Sequence, residues 1–125
     1  MYSEKIMEEF YNPKNFGVIK GASGVGKVTS DIGSEIIKIF ISVEDNKIKD
    51  AEFQTFGGVV AIACSSIATT LMIGKSLNVV QKITVGDILE KTGDIPDHKM
   101  YIVQAVVNAI HASVDSYYNK SAKED

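Results

Sequence analysis

Residues 59–73, Val-Val-Ala-Ile-Ala-Cys-Ser-Ser-Ile-Ala-Thr-Thr-Leu-Met-Ile, are small or apolar on nearly every side and contain no charge. A helix built from them has little face to give to water, so it should be largely buried. Gly74 supplies the stop. The run falls short of the roughly 20 residues that a bilayer span requires, and no other stretch of the chain reaches that length. Residues 59–73 therefore predict a buried core helix, and the rest of the chain has to supply what buries it.

The segment just before that helix supplies a sheet. Residues 35–44, Glu-Ile-Ile-Lys-Ile-Phe-Ile-Ser-Val-Glu, are dense in β-branched and aromatic side chains and predict a strand. Asp45-Asn46 makes a turn, and residues 48–56 alternate well enough to pair back antiparallel. A further strand begins at 25–30, which makes three, with the core helix packed across them. At the amino end, Ile6, Met7, Phe10 and Tyr11 recur at helical spacing between a Ser3 cap and an Asn12-Pro13 stop. Residues 84–91 read as a short helix. Residues 98–118 read as a long one, with Ile102, Val106, Ile110 and Val114 near one face and Tyr101, Ala105, Asn108 and Ala112 near another. The polar tail 119–125 is expected to fray. Strands followed by helices predict an α+β two-layer sandwich: a three-stranded antiparallel sheet covered on one face by helices, forming one domain over 1–125.

Composition narrows the function classes. Apolar residues at 45% and charged residues at 23% suit an ordered core. A net charge of −3 with scattered basic residues presents no footprint for nucleic acid or an anionic membrane. The start of the chain goes directly into a charged amphipathic segment without a secretory signal, which predicts a cytoplasmic protein. There is one cysteine, Cys64, so no intrachain disulfide and no multi-thiolate metal site can form within one chain.

One motif imitates nucleotide chemistry. Gly21-Ala22-Ser23-Gly24-Val25-Gly26-Lys27-Val28 has the glycine and lysine spacing of a phosphate-binding loop. Val28 stands where a magnesium-binding Ser or Thr is needed, no apolar strand precedes Gly21, and no helix follows Lys27. The glycines read instead as an irregular loop near a functional site.

The string Tyr2-Ser3-Glu4-Lys5 and the segment Tyr11-Asn12-Pro13-Lys14-Asn15-Phe16-Gly17 come first in a series of matches. They are followed by Ala51-Glu52-Phe53-Gln54-Thr55-Phe56-Gly57, Ala61-Ile62-Ala63-Cys64-Ser65-Ser66 and Gly74-Lys75-Ser76-Leu77. Together, and in this order, they resemble the iron–sulfur cluster assembly scaffolds of the IscU/NifU N-terminal type over nearly the whole chain. The resemblance implies a non-enzymatic platform that receives sulfur from a cysteine desulfurase, assembles it with iron and hands the cluster on, sometimes to a chaperone. Three thiolates suit such soft iron–sulfide or zinc centres. Here the resemblance places Gly33, Gly58 and Ile102 at the three ligand positions, so every ligand cysteine is absent. Only Glu35, in place of a ligand aspartate, retains a donor. The chaperone-recognition run is matched loosely by Ile95-Pro96-Asp97-His98-Lys99, where Pro96 and Lys99 survive and His98 is new, so chaperone contact is not implied.

These substitutions leave three readings. The first is a scaffold-like protein unable to hold a cluster by the usual site, acting as a partner-binding or regulatory component of iron–sulfur or sulfur-transfer metabolism. The second is an iron–sulfur cluster or zinc held by a non-standard intermolecular site, using Cys64 from two copies of the chain or Glu35 and His98 with a partner's thiolate. The third is a small molecule in the vacated pocket beside Glu35, Gly58 and Tyr101. The ordinary alternatives are a buried inert thiol at Cys64, a surface carboxylate at Glu35, a helix-capping or exposed His98, a packed Tyr101 with a wet hydroxyl, and a packed His111.

Overall fold

The computed structural model describes residues 2–124, with side chains through residue 121. Its elements are α1 (Glu4–Tyr11), β1 (Gly24–Thr29), β2 (Ile36–Glu44), β3 (Lys47–Phe56), α2 (Val59–Met72), α3 (Leu77–Val80), α4 (Val85–Thr92), a 3-10 turn (Asp97–Lys99) and α5 (Met100–Glu124). The strands form one antiparallel sheet in the order β1-β2-β3. Among the described residues, no helix is long and apolar enough to cross a membrane.

Local chemistry explains the element ends. Ser3 caps α1 by accepting from the Ile6 amide at 3.1 Å. Asp45 and Asn46 close the β2–β3 hairpin with φ of 53° and 64°, a left-handed pair that Asp and Asn tolerate and that suits the strand twist. Thr84 and Asp87 exchange side-chain and backbone hydrogen bonds at the start of α4 in a capping box. The strand periodicity sets the core: Ile37, Ile39 and Ile41 on β2 and Ala51 and Phe53 on β3 are fully buried, while the alternate Lys38 and Gln54 are not. As expected, α2 is largely covered, with Ala61, Ala63, Cys64 and Ala68 fully buried among β3, α1 and α5, while Thr70 is exposed and Leu71 half-buried.

The glycine-rich segment departs from the loop expectation. Gly24 and Gly26 are strand residues, and α5 lies directly on them. A Cβ at Gly26 would overlap the Ala109 carbonyl oxygen and fall 2.5 Å from the Ser113 nitrogen; one at Gly24 would fall 2.9 Å from the Tyr117 nitrogen. The spacing that imitated a phosphate loop is a backbone-to-backbone packing device, and it lies against the middle and far part of α5. Two other boundaries differ. Helix α3 has no counterpart in the sequence reading, because four residues are too short for a helical period to register. Helix α5 continues past Tyr118, where Lys120 Nζ donates to the Ala22 carbonyl at 3.0 Å. Of the tail expected to fray, Asp125 and the side chains from 122 onward lie outside the described residues.

One buried charge ties the helical layer together. Glu9 on α1 is 2% exposed. Its Oε2 meets Lys14 Nζ at 2.6 Å and Lys5 Nζ at 3.3 Å, and its Oε1 accepts from Ser66 Oγ on α2 at 2.6 Å. Ser66 Oγ in turn accepts from the Lys14 backbone amide. Burial pushes the Glu9 pKa up, but the hydrogen bonds from Lys14, Ser66 and Lys5 outweigh it and the net shift is downward.

Three substitutions test this packing. Gly26→Ala should cost about 3 kcal/mol in denaturant titration, since helix and strand backbones cannot separate cheaply. Gly86→Ala on α4, where the added Cβ meets little, should be neutral or stabilising by up to about 1 kcal/mol. Glu9→Gln should cost about 2 kcal/mol at neutral pH, the scale of hydrogen bonds to a charged group. Because the folded pKa of Glu9 lies below the unfolded one, its contribution is complete above the unfolded value and disappears as pH falls through the folded one. Melting temperatures from pH 6 down to 2 should therefore fall more steeply for the wild type than for Glu9→Gln.

Candidate functional site

Three segments meet at one end of the sandwich: the 30–35 loop entering β2, the Gly57-Gly58 link between β3 and α2, and the start of α5. The loop is closed by the Ser30 amide donating to the Glu35 carbonyl at 2.9 Å. Within it, the Glu35 carboxylate is held on both oxygens: Ser30 Oγ donates to Oε1 at 2.7 Å, and the Tyr101 hydroxyl donates to Oε2 at 3.1 Å. The glycines on either side leave room for it. A Cβ at Gly33 would overlap Glu35 Oε1 and lie 2.8 Å from the Tyr101 hydroxyl, and one at Gly57 would lie 3.1 Å from Glu35 Cγ.

The electrostatics follow from this geometry. The Ser30 hydrogen bond does most to hold the Glu35 carboxyl below the usual range; partial burial opposes it, and its own backbone amide, Tyr101 and the Lys99 charge assist. Tyr101 is shifted upward by desolvation and by donating to Glu35. The cluster is thus a carboxylate whose ionised form is favoured, with one hydroxyl donor on each oxygen. Its donors are hard oxygens, unlike the thiolates that iron–sulfide centres prefer.

Of the residues singled out in the sequence, the structure brings Gly33, Glu35 and Tyr101 together, with Lys99 close enough to act electrostatically. Gly58 is exposed and caps α2, and it is Gly57 that touches Glu35. Ile102 is 2% exposed and belongs to the apolar core. Pro96 precedes the 3-10 turn as its N-cap, and His98 is exposed on that turn with no hydrogen bond to Glu35 or Tyr101. Cys64 is fully buried, and burial pushes its thiol up to about 12, so it is a neutral packing group. His111 Nε2 pairs with the Ile83 carbonyl at 3.0 Å, a packing role. The depression beside Tyr101 holds ≈10 Å³, about the space of one water.

Sequence reasoning missed Ser30. It sits at the end of β1, five residues before Glu35, and only the closed loop makes the two neighbours. The local signal was a hydroxyl and a carboxylate flanking Asp31-Ile32-Gly33-Ser34, which a tight loop can join.

The profile of the family described as NifU-like N terminal domain matches residues 1–124. The chain belongs to this family. Among its relatives is the iron–sulfur cluster assembly scaffold protein IscU 1 of Archaeoglobus fulgidus, 39% identical over 125 residues, a match covering 100% of this chain and 82% of that protein. The IscU scaffold of Aquifex aeolicus is 32% identical, with 98% of this chain and 79% of that protein covered. The nitrogen fixation protein NifU of a Nostoc species is 37% identical over 93% of this chain but only 41% of its own length. The NifU-like N-terminal fold also appears in the solved structure of a nitrogen-fixing NifU-like protein from Brucella abortus. That structure has a TM-score of 0.59 at 18% identity and covers 97% of this chain and 89% of that one. The expected α+β sandwich with its amino-terminal helix is therefore the architecture of the family.

If Ser30 dominates the Glu35 environment, Ser30→Ala should raise the Glu35 pKa more than Tyr101→Phe does. Carboxyl carbon shifts followed by NMR against pH measure both; equal effects, or a fall in either variant, would contradict the assignment.

Proposed function

We propose that this chain is a cytoplasmic iron–sulfur cluster assembly protein that carries no cluster at the three-thiolate position and works by binding other assembly proteins, with a cysteine desulfurase as the principal partner class. Membership of the NifU-like N-terminal family and the names of its IscU relatives support the pathway. The observation that carries the rest is the Ser30–Glu35–Tyr101 cluster. It occupies the space between the loop and α5 with internal hydrogen bonds, beside positions where the resemblance calls for thiolates and the chain has Gly33, Gly58 and Ile102.

A cluster does not fit this donor set. Its oxygens are hard donors, each already accepting one hydrogen bond, and the lone thiol, Cys64, is fully buried within α2 and would have to leave the core to be shared between copies. The depression beside Tyr101 that Ser30, Asp31 and Asn108 line holds about one water's volume. Neither a His nor a Cys joins the cluster, so it offers no nucleophile–base pair for enzyme chemistry. What this end of the molecule does offer is apolar surface. Ile32 and Phe56, adjacent in sequence to Gly33 and Gly57, are 78% and 69% exposed, a footing for a partner.

Anaerobic reconstitution with ferrous iron and sulfide, followed by desalting, tests the first half of the reading. Substoichiometric iron and sulfide and no charge-transfer absorption are expected, whereas a stable stoichiometric cluster on the monomer would refute it. Titration of a cysteine desulfurase tests the second half: binding should weaken at least tenfold in Ile32→Asp/Phe56→Asp. Absence of wild-type binding would remove the desulfurase assignment.

A further inference from the structure

On the outer side of the helical layer, away from the Glu35 cluster in both residues and elements, two depressions of ≈240 and ≈370 Å³ adjoin at Leu71 and Lys91, which line both, and together they make a stepped groove. Its apolar lining is made by Ile67, Leu71, Val79 and Ile83. Val79 is 50% exposed, although it is an aliphatic residue on a helix. The rim is cationic: Lys5 and Lys14 at one end, Lys75 and Lys82 at the other, and Lys91 between.

The carboxylates in the groove do not cancel this charge. Glu9, Asp87 and Glu90 offset three of the five charges of Lys5, Lys14, Lys75, Lys82 and Lys91 and leave the lining with a net charge of +2. Among the described residues, Lys75, Lys82 and Lys91 form no ion pair. A chain of net charge −3 thus gathers unpaired cations around an apolar trough.

We propose that this groove docks an acidic amphipathic helix of a partner protein, independently of the Glu35 end. The apolar face of such a helix would lie on Leu71 and Val79, and its Glu or Asp flanks would meet Lys75, Lys82 and Lys91. Concavity favours a helix over a bilayer, because a rod can enter a depression that a flat lipid surface would span. Charge complementarity also sets orientation and speeds encounter, so binding should be salt-sensitive.

The probe is a fluorescein-labelled designed helix with Leu at i, i+3, i+4 and i+7 and Glu at most other positions, alongside a scrambled peptide of equal composition and phosphatidylglycerol vesicles. Anisotropy should show saturable binding of the patterned peptide, at least tenfold tighter than the scrambled one, with amide shifts centred on Leu71, Val79 and Ile83. Lys82→Glu/Lys91→Glu, both at exposed positions, should lose at least tenfold in affinity, and a peptide with Lys at the flanking positions should recover it. Val79→Ser should weaken binding without changing its salt dependence. Equal affinity for the scrambled peptide, shifts mapping elsewhere, no effect of the charge reversal, or vesicle binding in place of peptide binding would each overturn the proposal.

Discussion

The backbone of α5 rests on the backbone of β1 with no side chain between them, and the arrangement of the molecule depends on that contact. Helices normally stand off a sheet by the thickness of two side-chain layers, about 10 Å. Here Gly24 and Gly26 remove one layer, and the Val25 amide finds its partner in Ser116 Oγ on the helix at 3.1 Å. The close approach pins α5 along the sheet edge. Because the helix is rigid, pinning it near Ser113 also places Tyr101, about 18 Å away at 1.5 Å per residue, beside the loop that leaves the same strand. The packing device at one end of β1 and the polar cluster at its other end belong to one rigid unit.

Two carboxylates show how such a fold handles charge away from water. Glu9 and Glu35 are each held on both oxygens, and in each case hydrogen bonds to the ionised form outweigh desolvation. Their surroundings differ in what they leave over. Glu9 joins α1, the 12–15 segment and α2, and its lysines continue into a cationic groove open to solvent. Glu35 joins a loop to α5 and closes the space between them. A carboxylate held in this way ties the loop to the helix.

Much of the fold was legible in the chain because strong local signals agreed with one another. Asp45-Asn46 demanded a turn, residues 35–44 were dense in β-branched and aromatic side chains, Ser3 and Thr84 marked helix starts, and residues 59–73 had to be largely buried. The errors share one cause. Gly24-Val25-Gly26-Lys27 was ambiguous because glycine serves a phosphate cradle and a close helix–strand contact equally well, and only the position of α5 distinguishes them. The extension of α5 past Tyr118 rests partly on Lys120 reaching the Ala22 carbonyl, a contact nearly the whole chain apart in sequence. Leu77–Val80 was too short to carry a period.

The site divides along the same line. The residues themselves determined that no set of thiolates exists, since one cysteine within an apolar helix cannot make one wherever the chain folds. They also placed a carboxylate, rather than a thiol, beside Gly33. That Glu35 is engaged by Ser30 and Tyr101, that Gly57 makes the contact expected of the Gly58 link, and that Lys75, Lys82 and Lys91 frame a single apolar groove were decided by tertiary structure. The reason is physical: composition and period act over a few residues, whereas hydrogen-bond partners and charge clusters are set by which distant segments the core brings within 3 Å of one another.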